Sequence, residues 1–308
     1  MAAIHNAISM VKQVATEWSE DKVPQLGAAL AFYTALSIAP LLVISLGIAA
    51  AVFGQEAAQG QVVAQLGDLV GEQGAKAIQE MIANANQPAE GIFATVLSTI
   101  ILLFGASGVF GQLQESLNTI WEVQPKPGRG ILGIIRDRFL SFAMVLGCAF
   151  LLLVSLLLSS ALGALGSVLD RLPESLEWFS HALHMGVSFV VITLLFAMMF
   201  KYLPDVKIQW RDVWLGAVIT AALFTIGKFA IGLYLGKSSM ASSYGVAGSF
   251  VVLLVWVYYS AQILFAGAEF TQVYADRYGS RIVPAENAEP LTAEARAQQG
   301  RPRTATSH

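Results

Sequence analysis

Apolar residues in this chain gather into six long stretches with almost no charge inside them. They run from Val23 to Gln55, Gly91 to Gln114, Phe139 to Leu169, Trp178 to Phe200, Val213 to Leu235 and Ser238 to Ala268, and only Lys228 interrupts one of them. Each reaches or exceeds the roughly 20 residues that a helix needs to cross about 30 Å of hydrocarbon. In lipid the backbone must satisfy its own N–H and C=O groups, and barrel-type alternation is absent. The stretches therefore predict six transmembrane helices in an all-α polytopic membrane fold. The first is too long and begins too far in for the apolar part of a secretory leader, so it reads as an uncleaved span. No lipidation motif stands at either end.

Lys and Arg set the orientation. The N-terminal segment (Lys12, Lys22), the second-to-third connection (Lys126, Arg129, Arg136, Arg138), the fourth-to-fifth connection (Lys201, Lys207, Arg211) and the tail (Arg277, Arg281, Arg296, Arg301, Arg303) hold 14 of the 18. The three opposite segments hold Lys76, Arg171 and Lys237. Positive charge stays on the cytoplasmic side, so both termini are expected there and the number of spans is even. The expected domains are a cytoplasmic segment over 1–22, a six-helix membrane domain over 23–278 and a disordered cytoplasmic tail over 279–308. Pro284, Pro290 and Pro302 and a low apolar content argue for that disorder.

The largest external piece is Gly54–Glu90, within which Val62, Val63, Leu66, Leu69 and Val70, then Ile78, Met81 and Ile82, recur at helical spacing. This predicts two short amphipathic helices broken near Gly71–Gly74. Glu56, Asp68, Glu72, Glu80 and Glu90 make its polar side acidic, which favours a lid on the outer mouth of the bundle over an element lying among anionic headgroups.

Composition sharpens the picture. Hydrophobic types make up 56% of 308 residues and charged types 13%, with a mean hydropathy of +0.62. Soluble domains carry about 25% charged residues, so composition excludes a soluble cytosolic enzyme. A net charge of −3 gives no basic surface for nucleic acid. Cys148 is the single cysteine, so no internal disulfide can form.

Polar residues within the spans carry the candidate chemistry. Tyr33, Ser37 and Pro40 share one face of the first span, and Pro40 frees the carbonyl of Leu36. That suits a solute path or hinge, or a kink inside ordinary packing. Gly105, Gly108 and Gly111, and the Gly232/Gly236 pair, read as close helix packing. Lys228 lies about seven residues, roughly 10 Å, from the outer end of its helix. Its ammonium either reaches the surface or faces a cavity that attracts an anionic group such as a phosphate. In the sixth span Tyr244, Gly245, Gly248 and Ser249 allow close approach or local unwinding. Tyr258, Tyr259 and Gln262 are polar at depth, and Glu269 lies near the cytoplasmic end.

These residues resemble the YihY / virulence-factor BrkB family of bacterial inner-membrane proteins. The resemblance rests on Ala28 to Thr34 with Ser37 and Pro40, Leu117-Asn118-Thr119-Ile120-Trp121, Tyr202-Leu203-Pro204, and Trp214 with Gly216. It continues in Tyr244-Gly245, Gly248-Ser249, Trp256, Tyr258, Ser260 and Gly267-Ala268-Glu269, so that it covers roughly residues 10–280. It implies six helices with both ends cytoplasmic, and a transporter role in moving lipid-like or anionic molecules. An old label for such proteins is ribonuclease BN. The sequence argues against it, because the only histidines are His5, His181, His184 and His308, and no cluster of metal ligands accompanies them. Gly227-Lys228 is followed by Phe229, so no P-loop is present, and no GxSxG occurs.

The expected function is an inner-membrane transporter or lipid-handling protein for an anionic or lipid-like molecule, with no enzymatic activity, cofactor or metal. The alternative is a membrane scaffold or assembly factor that moves nothing. The expected path or gate comprises Tyr33, Ser37, Pro40, Lys228, Tyr244, Gly245, Gly248, Ser249, Tyr259, Gln262 and Glu269. Arg136 and Arg138 are expected to meet anionic lipid at the cytoplasmic surface. The expected partners are membrane lipids and an anionic small molecule or lipid substrate, with no nucleic acid.

Overall fold

A computed structural model of the chain describes residues 2–54, 79, 108–127, 177–237, 248–279 and 282–300. Helix α1 (Ala2–Glu20) is followed almost at once by α2 (Val23–Phe53). Lys22 makes the corner with a left-handed φ of 54°, and a proline in the first turn of α2 is tolerated because that N–H has no intrahelical partner. Helical residues 108–120 (α3) lead into strand β1 (Val123–Pro125). Next come α4 (Glu177–Tyr202), β2 (Val206–Lys207), α5 (Trp210–Lys237) and α6 (Gly248–Tyr278). The last described elements are β3 (Val283–Pro284), β4 (Ala288–Pro290) and the short helix α7 (Ala293–Gln298).

The charge-free stretches one, four and five coincide closely with α2, α4 and α5, while stretch six overlaps α6 from Gly248 to Ala268 and the helix runs on to Tyr278. Among the described residues, three stretches are long and apolar enough to cross a membrane: Met185–Tyr202, Trp210–Tyr234 and Phe250–Tyr278. The second stretch is described only from residue 108. The third stretch and the external segment, apart from Gly54 and position 79, lie outside the described residues.

Helix α6 is the hub, packing against α5, α2 and α1, while α4 packs on α5. The main core gathers the start of α2 (Val23, Leu30), the end of α3 (Leu117, Trp121), the end of α4 (Phe200), the start of α5 (Val213, Ala217) and the later half of α6 (Phe265, Ala268). Among the described residues, tight packing is thus concentrated at one end of the bundle. A smaller cluster, Ile231 and Val252 with Trp256 and Tyr259, sits toward the other. Tyr202, Trp210 and Trp214 form an exposed aromatic chain at the α4–α5 connection, with ring centroids 5.9 and 6.3 Å apart. Amphipathic rings of this kind suit a membrane–water interface.

Between α5 and α6 the crossing is reciprocal. A methyl group on Gly216 would collide with Thr271, and one on Gly267 would collide with Thr220. Each threonine hydroxyl donates to the carbonyl of the glycine four residues before it, Thr220 to Gly216 at 2.7 Å and Thr271 to Gly267 at 2.6 Å. Glycine lets the backbones approach, and the buried hydroxyls are satisfied within their own helices.

The disorder expected after Tyr278 does not describe residues 282–300. Strand β4 pairs antiparallel with β1, placing Val123 opposite Pro290, and β3 pairs antiparallel with β2, placing Val206 opposite Pro284. The segment has too little apolar surface to order itself. Its order comes from backbone partners supplied by the α3 exit and by the α4–α5 connection.

Candidate functional site

The motif residues Asn118 and Tyr202-Leu203-Pro204 meet at the tightly packed end. Asn118 Nδ2 donates to Asp205 Oδ2 at 2.9 Å, and the Asp205 backbone N–H returns a bond to Asn118 Oδ1 at 2.7 Å. Asn287 Nδ2 donates to the other Asp205 oxygen at 2.8 Å, and Ala285 N–H donates to the Asp205 carbonyl at 2.8 Å. Asp205 is buried with both carboxylate oxygens used, as a buried charge requires. The motif therefore fastens α3, the α4–α5 connection and the C-terminal segment together.

A second clasp lies beside it. Arg296 of α7 is buried, and its Nη2 donates to Asp21 Oδ1 at 2.7 Å, while its Nη1 lies 2.7 Å from Glu122 Oε1. Nε of Arg296 has no partner. Burial opposes the guanidinium charge, but the contacts with Glu122 and then Asp21 more than offset it and hold the group above its ordinary range. Among the described residues the only non-glycines with positive φ are Lys22 and Glu122, both at 54°. Both adjoin this clasp, where the chain turns sharply enough to bring Asp21 and Glu122 to one guanidinium. Sequence reasoning missed Asp21, Glu122, Asp205, Asn287 and Arg296. Asp205 had a signal, since it adjoins Tyr202-Leu203-Pro204. Arg296 had none, being one of five arginines in a polar tail.

Helix α6 carries a line of polar side chains into the bundle. Gln262 fits against Gly27 of α2, where a methyl group would collide with its amide, and neither Nε2 nor Oε1 of Gln262 has a hydrogen-bond partner among the described residues. Two turns further, Glu269 is 0% exposed and neither carboxylate oxygen has a partner. Gln272 is buried, its Oε1 has no partner, and its Nε2 donates to Asp276 Oδ2 at 3.4 Å. Seven residues are close to two helical turns, so Gln262 and Glu269 share one face of α6, with Gln272 close to it.

The other expected site residues do not gather in one place. Ser37, 1% exposed, and Tyr33, 41% exposed, face α3, since a Cβ on Gly108 would lie 3.3 Å from Ser37 Oγ and 3.6 Å from Tyr33 Cδ1. Tyr259 packs on α5, with its hydroxyl 3.2 Å from where a Gly227 Cβ would stand. Lys228 follows that glycine. It is half-buried, with Nζ 5.5 Å from the ring of its neighbour Phe229 and no ion pair among the described residues. Gly248 is buried at the start of α6. The structure brings Gln262 and Glu269 onto one face and places Tyr33 and Ser37 on a different interface from Tyr259. Tyr244, Gly245, Arg136 and Arg138, and the side chains of Pro40 and Ser249, lie outside the described residues.

Long apolar helices, aromatic rings at one connection and polar groups enclosed between helices define an α-helical membrane protein. The chain belongs to the virulence factor BrkB family, whose sequence profile matches residues 14–292. It is 28% identical over 256 residues to a UPF0761 membrane protein of Verminephrobacter eiseniae, covering 82% of this chain and 58% of that one. A UPF0761 membrane protein of Alkalilimnicola ehrlichii is 27% identical over 273 residues, covering 87% of this chain and 59% of its own length. One of Vibrio vulnificus is 26% identical over 288 residues, covering 91% and 86%. The chain thus spans less than two thirds of the length of the first two relatives. No solved structure matches.

Proposed function

We propose that the chain is a non-enzymatic inner-membrane transporter or lipid-handling protein for an anionic or lipid-like molecule. Six spans with both termini in the cytoplasm complete the reading. The observation that carries it is the Gln262 amide: a polar group deep in a long apolar helix, seated on Gly27, with neither end bonded. A polar group held in hydrocarbon at a cost of several kcal/mol, without a structural partner, is a functional-site candidate. Lys228, with no ion pair among the described residues, supplies a cation for an anionic group on the neighbouring helix. The orientation is supported by the meeting of the α1–α2 corner, the α3 exit, the α4–α5 connection and residues 282–300 on one face. Those four segments hold Lys22, Lys126, Lys201, Lys207, Arg211 and Arg296, six of the ten Lys and Arg among the described residues, as a cytoplasmic face does.

The test is translocation of a fluorescent phosphatidylglycerol, and flux of small anions, in sealed vesicles containing the full chain. Wild type is expected to move an anionic probe, and Gln262→Leu and Lys228→Met to slow it at least tenfold at unchanged protein content. Translocation no faster than in empty vesicles for every anionic probe would overturn the reading. Equal rates in Lys228→Met would remove Lys228 from the path.

A further inference from the structure

The clasp at the packed end of the bundle leaves one buried acid without a counter-ion. Arg296 commits Nη2 to Asp21 and Nη1 to Glu122, each at 2.7 Å. The charges acting on Glu269 are Glu17 and Asp21 from the α1 end, Glu122 from the α3 exit and Arg296 from α7. Three of those four are carboxylates, and the single guanidinium is already engaged by two of them. Glu269 itself is 0% exposed, with both oxygens unbonded. An ionised carboxylate in that position would have lost its water, gained no donor and faced more negative than positive charge.

We propose that Glu269 is a proton-binding site of the membrane domain, occupied by a proton in the conformation in which the Arg296 clasp is closed. A carboxylic acid offers one O–H donor and one C=O acceptor. Among the described residues, unbonded groups of both kinds stand on the elements around it. The donors are Nε1 of Trp121, 1% exposed at the α3 exit, and the remaining Nε of Arg296, and the acceptor is Oε1 of Gln272, 4% exposed and one turn along α6. A proton fits better than a metal ion, since among the described residues no group of three His, Cys, Asp or Glu could hold one. The clasp gives the site a means of release. If residues 282–300 shift, Arg296 can exchange Asp21 or Glu122 for Glu269, and the proton leaves as the new ion pair forms. This goes beyond the transport reading and does not depend on it.

The test uses the full chain in lipid nanodiscs. The infrared difference between wild type and Glu269→Gln at pH 7 is expected to contain the carbonyl stretch of one protonated carboxylic acid, and its absence would overturn the proposal. Dicyclohexylcarbodiimide, which attacks protonated carboxyls in apolar surroundings, should label Glu269 and spare Asp21 and Glu122 in peptide mass spectra. Labelling of Asp21 or Glu122 with Glu269 spared would also overturn it, as would protection of Glu269 by sodium chloride at constant pH. Glutamine imitates the protonated acid, so Glu269→Gln should keep the wild-type thermal midpoint at pH 7. A lowered midpoint would show that the charged form is the one the fold uses and would refute the assignment.

Discussion

Replacing Arg296 with alanine removes a cation that Asp21 and Glu122 share. The Arg296 and Asp21 side chains are 6% and 2% exposed, so water cannot take over the bond at 2.7 Å, whereas Glu122, at 26%, can be partly rehydrated. Breaking a buried charge pair from one side costs about 3–5 kcal/mol, most of it from the charge left behind. The lower end applies here because Glu122 reaches solvent. The loss should fall on the docking of residues 282–300, which otherwise depend on strands of two and three residues and a helix of six. About 3 kcal/mol corresponds to a roughly hundredfold larger open population. Hydrogen exchange of the full chain in nanodiscs should therefore show the amides of Ala285, Ala288 and Leu291, which donate to Asp205, Ala285 and Glu122, exchanging about a hundredfold faster. Amides in the middle of α5 and α6 should keep wild-type rates. Arg296→Lys retains the charge without the planar fork and should fall between the two. Unchanged exchange at those three amides would refute the reasoning, and so would equal acceleration throughout the helices.

Three further substitutions separate the other interactions. Asp205→Ala strands the amides of Asn118 and Asn287 and should lower stability by about 3 kcal/mol, read as a lower thermal midpoint in detergent; an unchanged midpoint would mean that water replaces the carboxylate. Gly267→Val drives a side chain into Thr220 and should cost about 1–3 kcal/mol. Adding Thr220→Ala to the same chain should recover part of that, and no recovery would show that the α5–α6 crossing is not the source. Lys207→Ala breaks an ion pair with Glu286 at 3.3 Å whose side chains are 61% and 91% exposed, so stability should stay within about 0.5 kcal/mol; a larger loss in the same melting experiment would contradict its treatment as a surface pair.

Much of the architecture is local and therefore legible. Charge-free length is a property of consecutive residues, because the transfer of a helix into hydrocarbon depends on what that helix carries. Stretches one, four, five and six were readable on that ground, as were Gln262 and Glu269 as polar groups out of place among apolar neighbours. The ordered C-terminal segment was not readable. Its composition matches disorder, and its order is borrowed from β1 and β2, more than 70 residues away along the chain.

The sequence by itself determined that this chain is a membrane protein built of long apolar helices, and which of their polar residues are out of place among apolar neighbours. Only the tertiary structure decided which charges meet. Arg296 reaches Asp21 across 275 positions, and Asn287 reaches Asp205 across 82. No spacing rule anticipates either contact, because a charge pair forms wherever folding brings two groups within a few ångströms in a place water cannot enter. The same cause leaves Glu269 without a hydrogen-bond partner among the described residues. Its neighbours are set by the closure of four separate segments on one face, and that closure spends the one nearby guanidinium elsewhere.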